Sequence, residues 1–281
     1  MAADTLPRTG ADATDTAPPL AVLRGVLRDR RRSLLLWSVA LAAITAVYVS
    51  FYPAMGEGAD LDVFVENLPE GLVSALGYDQ IGTSGGYLGS TVFGILGPAL
   101  LLVFAIGWGA RTLAGAEEDG TLELELTSPV SRTQVYLERL AALWLGVLLL
   151  AAVVFATTVG LIAVLDMELA TVNVLAGSVG LLLLGLALGT LAVAVGAATG
   201  RRGIALGTAA GVAVLAFVAD AIGPMVDGLG WLTAVSPWSW YLGEDPLVEG
   251  FDGVGLSLLA ALAVVAALAG LVRYRHRDLG V

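Results

Sequence analysis

The sequence predicts an all-α integral membrane protein with six transmembrane helices, and three observations carry that prediction. First, 57% of the 281 residues are hydrophobic and the mean hydropathy is +0.86, beyond the roughly half-apolar composition of soluble domains. Second, the apolar residues recur as separate blocks of about 20 residues along the chain, each long enough to cross a hydrocarbon core. Third, arginine is confined to alternate connections between those blocks, which fixes an orientation.

The blocks cover roughly 34–52, 90–110, 140–165, 172–199, 203–223 and 254–272. No charged residue stands in the middle of any of them, and only Asp220, near the end of the fifth, comes close. Arg8, Arg24, Arg28, Arg30, Arg31 and Arg32 precede the first block. Arg111, Arg132 and Arg139 lie between the second and third, Arg201 and Arg202 between the fourth and fifth, and Arg273, Arg275 and Arg277 after the sixth. The other connections carry acids only. A six-span topology with both termini cytoplasmic puts every cation on one side, as the positive-inside rule requires. Trp37, Trp108 and Trp144 near one set of span ends, and Trp231, Trp238 and Trp240 in the last outer loop, fit interfacial aromatic belts.

Residues 1–19, rich in Ala, Asp, Thr and Pro, read as a disordered cytoplasmic tail. The remainder, 20–281, reads as one six-span membrane domain. From Leu20, the leucines Leu20, Leu23 and Leu27 alternate with Arg24, Arg28 and Arg31, predicting a short amphipathic elbow helix on the membrane surface that turns at Ser33 into the first span. An ordinary basic flank explains the same residues. A cleaved secretory signal over 20–52 is disfavoured by the long stretch before the apolar run. The first outer loop, 53–89, offers two short amphipathic helices broken by Pro69 and Gly71. The last outer loop, 224–253, is rich in Pro, Gly and Trp and is expected at the outer interface or dipping into it. Gly185/Gly189, Gly196/Gly200 and Gly203/Gly207/Gly211 have the spacing for close helix contact, a weak signal in a chain with 36 glycines.

Composition excludes several functions. There is no cysteine, hence no disulfide framework and no thiolate site. All 14 basic residues are arginine against 25 acids, for a net charge of −11, which argues against nucleic-acid binding. The lysine-free acidic excess points to a salt-rich cytoplasm such as that of a halophilic archaeon. Without lysine no P-loop can form, so the chain is not expected to hydrolyse ATP or to hold a cofactor itself. Spans empty of ionisable residues disfavour an ion-coupled antiporter. The single histidine, His276, sits in a basic flank and has no partner for general-base or metal chemistry.

The polar segment 111–139 interrupts this apolar chain on the side read as cytoplasmic. Glu117, Glu118 and Asp119 precede a break at Gly120, and Thr121-Leu-Glu-Leu-Glu-Leu-Thr runs to Pro129. Leu122, Leu124 and Leu126 alternate as in a strand, yet Leu122 and Leu126 also share a helical face. Ser131 and Gln134 have capping-box spacing, so a new helix should start there. A capped elbow with exposed leucines suits docking of a soluble protein; a solvated connector is the plainer alternative.

The run ARTLAGAEEDGTLELELTSPVSRTQVYLERL resembles the first cytoplasmic loop of ATP-binding-cassette (ABC) exporter permeases of the type-2 class, whose pattern is approximately E-x-G-T-L-E-L-L-L-S-x-P-V-S-R and a basic residue. RDRRRSLLLW before the first span and SPWSWYLGEDPLVEGFD before the last extend the likeness over most of the chain. Glu125 departs from an apolar position of the pattern, and Arg139 from a lysine. The resemblance implies a permease subunit that pairs with a second permease chain, homodimeric or heterodimeric, and with two copies of an ATPase subunit that bind ATP and magnesium. It also implies that the loop is a coupling helix received by the ATPase, with Glu117, Gly120, Thr121, Leu122, Glu123, Leu126, Pro129, Ser131 and Arg132 forming or bracing the contact. Arg201 and Arg202 are candidates for a second contact. A membrane scaffold recruiting a soluble partner, or an uncoupled facilitator, are the alternatives. The substrate is not legible.

Overall fold

The structure, a computed structural model, describes residues 20–56, 82–120, 131–226 and 228–277. Six long helices make up the fold: α1 (Ala21–Gly56), α2 (Ser84–Glu118), α3 (Arg132–Val164), α4 (Thr171–Thr199), α5 (Arg202–Ile222) and α6 (Gly253–His276). Each apolar block read from the sequence falls on one of them to within a residue, all six are long and apolar enough to span a membrane, and no strand occurs among the described residues. The expected tail 1–19, the amphipathic helices of 57–81 and the leucine run 121–130 lie outside the described residues.

The elbow differs from expectation. Helix α1 is continuous from Ala21 to Gly56, with no turn at Ser33. Residues 26–52 contain neither Gly nor Pro. The arginine run and the apolar run are both good helix formers, so nothing local interrupts the backbone between them.

Packing centres on α4, which touches α2, α3, α5 and α6, while α1 lies mainly along α3. Small residues explain the choice. Gly177, Ser178, Gly180, Gly185, Gly189 and Thr190 are all buried on α4, and in a lipid solvent such residues let helix backbones approach and gain dispersion contacts. Of the glycine pairs noted in the sequence, Gly185 and Gly189 face neighbouring helices closely, whereas Gly203, Gly207 and Gly211 have no atom within 4 Å of where a Cβ would stand.

Helix α2 is not α-helical throughout. Gly89–Leu96 and Arg111–Gly115 wind as π-helix. Hydroxyls take up carbonyls there: Thr91 Oγ1 donates to Tyr87 O at 2.6 Å, Ser90 Oγ to Gly86 O at 2.9 Å and Thr112 Oγ1 to Trp108 O at 2.9 Å. At membrane depth such freed backbone groups need internal partners.

The α5–α6 connection folds into one end of the bundle. The buried Tyr241 phenol donates to Phe93 O of α2 at 2.9 Å, and burial pushes its pKa well above the ordinary value, so it remains a donor. Asn173 Nδ2 donates to Leu247 O at 3.0 Å and Val248 O at 2.8 Å, and Ser236 Oγ to Ala216 O at 2.8 Å. Two of the tryptophans assigned to interfacial belts are buried between helices. Trp238 is buried edge-on against Phe217, ring centroids 5.2 Å apart, and Trp108 is buried edge-on against Phe104 at 5.3 Å. Their indoles fill gaps between helices, where aromatic area gains more than at a wet surface.

Candidate functional site

At the opposite end, which carries the arginines, the ends of α1, α4 and α5 and the chain after α6 converge on the feet of the polar segment, which are the end of α2 and the start of α3. The wide turns of α2 over 111–115 expose the Thr112 carbonyl, and the guanidinium of Arg139, only 6% exposed on α3, donates to it. A single turn, Ala116–Glu118, follows. The chain then turns at Gly120 with φ +68°, its N–H donating to Glu117 O at 3.1 Å. That is a left-handed conformation glycine adopts without a Cβ penalty. Thr121, Leu122, Glu123, Leu126 and Pro129 lie outside the described residues.

Ser131 resumes the description as the N-cap of α3, its hydroxyl accepting from Gln134 N at 3.1 Å. This half of the expected capping box is present. The Gln134 side chain does not reach back to Ser131 but donates through Nε2 to Glu138 Oε1 at 2.9 Å. Glu138, 8% exposed, also accepts from Leu20 N at 3.2 Å and Leu23 N at 3.0 Å. One carboxylate thus satisfies orphan amides of the α1 N-terminus and complements its dipole, anchoring the start of α1 to α3.

Arg277 is the knot between the other ends. Its Nη2 pairs with Glu117 Oε1, its Nη1 donates to Ala197 O near the end of α4 at 3.0 Å, and its own carbonyl accepts from Arg132 Nη1 at 3.1 Å. The pair sits over Gly200, the left-handed cap of α4 with φ +65°, where a Cβ would stand 2.8 Å from Glu117 Oε1. Glu118 Oε1 accepts from Arg202 N at 2.9 Å, capping α5. Of the sequence-predicted contact residues, the structure therefore brings Glu117 and Arg132 together through Arg277 and places Gly120 and Ser131 at the loop's two feet. Arg202 joins the cluster through its backbone, while the exposed Arg201 is the N-cap residue of α5.

Sequence reasoning missed Glu138 and Arg277. A carboxylate four residues after Gln134, close to the start of an apolar run, was a usable signal for the first. The partners of the second lie 80 to 160 residues away, and nothing local marks them.

Two further hollows lie along the bundle. An apolar groove of about 480 Å³ between α2 and α5 is lined by Leu102, Val103, Ile106, Leu206 and Val214 among others. A cavity of about 420 Å³ at the far end is lined by Asp220, Asp245, Ser90 and glycines of α2. They share Ile95, Phe217 and Trp238.

Six helices long and apolar enough to cross a membrane define a multi-pass membrane protein. The chain belongs to the family described as "Multidrug efflux system permease Rv1217c, C-terminal domain", whose model matches residues 21–275 and so takes in all six spans. No curated protein matches it.

Proposed function

We propose that this chain is the membrane-spanning permease subunit of an ABC-type exporter of the plasma membrane, which moves its substrate with ATP hydrolysed on a separate subunit. The observation that carries the reading is the cluster around Arg277. Both feet of the 111–139 segment are bonded to the ends of other helices, so a force on the segment reaches α1, α3, α4, α5 and the chain after α6 together. The arginine-bearing end faces the cytoplasm, because every arginine among the described residues lies there. Two ATPase subunits holding ATP and magnesium receive the segments of two permease chains, and closure of the ATPase pair tilts the bundles. The energy enters as a difference in affinity of the segment for the two ATPase arrangements. The chain itself is not an enzyme in this scheme. Membership of a multidrug efflux family and an α2–α5 groove without ionisable lining support a lipophilic substrate.

Gly120→Pro and Arg132→Glu test the coupling role. Proline cannot take φ +68° and lacks the N–H that bonds Glu117. Glutamate at the first position of α3 suits the helix dipole while losing the Arg277 contact, so the span should still insert. Both variants should reach the membrane at normal levels and lose ATP-dependent efflux by about tenfold or more. Undiminished co-purification and stimulation of the ATPase in both would refute the docking role.

The acidic, lysine-free composition supports a salt-rich cytoplasm of halophilic, archaeal type as the setting. The purified chain should gain thermal stability between low and molar potassium chloride, and stability indifferent to salt would count against it.

A further inference from the structure

Beside the Arg277 cluster, at the same end, lies a cavity of about 760 Å³ with a different character. Four helices each turn an arginine to it: Arg30 of α1, Arg111 of α2, Arg139 of α3 and Arg202 of α5, against the two carboxylates Asp29 and Asp119. The Arg30 guanidinium carbon stands 5.5 Å from the Trp108 ring centroid, a cation–π contact that fixes its head in the cavity wall. Burial disfavours the Arg30 charge most, Arg111, Arg139 and Arg202 add repulsion, and Asp29 attracts it. Among the described residues no carboxylate lies within 4 Å of the guanidinium of Arg30, Arg111 or Arg202. The Arg277 cluster leaves this group unused, since it engages Arg202 only through the backbone.

The guanidiniums of Arg30, Arg111 and Arg202, brought to one cavity by three helices, oppose one another unless an anion joins them. Planar N–H forks arriving from several directions match the oxygens of a phosphate group, which several forks can grip at once. The level is that of a membrane surface. The first apolar run begins at Leu34, one helical turn beyond Arg30, and Leu36, two turns beyond Asp29 on the same stripe, is 72% exposed. A polar head in the cavity would therefore have an apolar helix face alongside it for its tail.

We propose that this cavity is a binding site for a phosphate-type oxyanion, supplied by an anionic phospholipid headgroup or by free phosphate. The inference requires only that the chain sits in a bilayer, and it stands whether or not the chain transports anything.

Native mass spectrometry of the purified full chain tests it, with phosphatidylglycerol and phosphatidylcholine as probes and inorganic phosphate as competitor. The wild-type chain should hold phosphatidylglycerol about tenfold more tightly than phosphatidylcholine, and the Arg30→Gln/Arg111→Gln double variant should fall to within about twofold. Displacement of phosphatidylglycerol by millimolar phosphate identifies the free ion as an occupant. Resistance to it identifies the headgroup. Each of those results supports the site. Should the double variant not fold, Arg111→Gln alone alters an exposed side chain and should lower the preference about threefold. Equal binding of the two lipids by the wild type, or a preference untouched in a folded variant, overturns the proposal.

Discussion

Gly109→Val should yield a chain that elutes in the void volume on size exclusion, whereas Gly107→Val, two residues away, should elute as the wild type does. A Cβ at Gly109 would stand 2.4 Å from the carbonyl oxygen of Gly189 and 3.1 Å from the Ala192 Cβ, so the atom met first is backbone and cannot rotate away. Gly189 in turn brings α4 against Ala105, where its own Cβ would stand 3.2 Å from the Ala105 Cβ. These two helices are the most buried of the six spans, and α4 packs on α3, α5 and α6 as well. Overpacking in a well-filled interior costs about 1–3 kcal/mol where side chains can adjust and more where they cannot. Helix propensity works the other way, since valine is the better helix former, so a loss at Gly109 cannot be blamed on it. At Gly107, which lines the apolar groove, nothing lies within 4 Å of a Cβ. A monodisperse Gly109→Val protein with the wild-type melting temperature would show that α2 and α4 are not packed as described.

The same contact shows what could be read in advance. Six apolar blocks and an arginine distribution with no exceptions define the span number because both are properties of the chain alone. The cap at Ser131 and the turn at Gly120 were legible for the same reason: each is settled by the residue and its immediate neighbours. The approach of Gly109 to Gly189 was not, because glycine spacing on one helix says nothing about which face meets a partner, and Gly203, Gly207 and Gly211 with equal spacing meet nothing. The unbroken α1 fits the plain basic flank rather than the elbow, since a change from basic to apolar composition is not a change in direction. The π-helical turns of α2 stayed hidden because their stability rests on hydroxyls and on Arg139 of another helix, not on a local propensity. Nothing in the sequence marks the gaps between helices that Trp108 and Trp238 fill. Of the candidate site, the residues beside the loop were legible, and the clasp that binds them to Arg277 was not.

Arg277→Glu should lower the melting temperature by about 5 °C, Glu117→Arg should do so by a similar amount, and the combined charge swap should recover about half of either loss. The wild-type pair is 19% exposed on the arginine and 22% on the glutamate, so it lies between a surface bridge worth under about 1 kcal/mol and a buried one whose breaking costs about 3–5 kcal/mol. About 2 kcal/mol is a fair expectation for the reversal, because a glutamate at 277 would face Glu117 and the Ala197 carbonyl with three acceptors and no donor between them. The swap restores attraction between 117 and 277, but it cannot restore the bond to Ala197, since a carboxylate at 277 has nothing to donate. Recovery should therefore be partial. Full recovery would mean that the Ala197 bond contributes nothing and that the end of α4 is held by other contacts. No recovery, with Glu117→Arg harmless on its own, would place the whole effect in the bonds of Arg277 to the backbone. The polar segment would then be fastened to α4 by main-chain carbonyls alone, and Glu117 would be free to serve a partner protein instead.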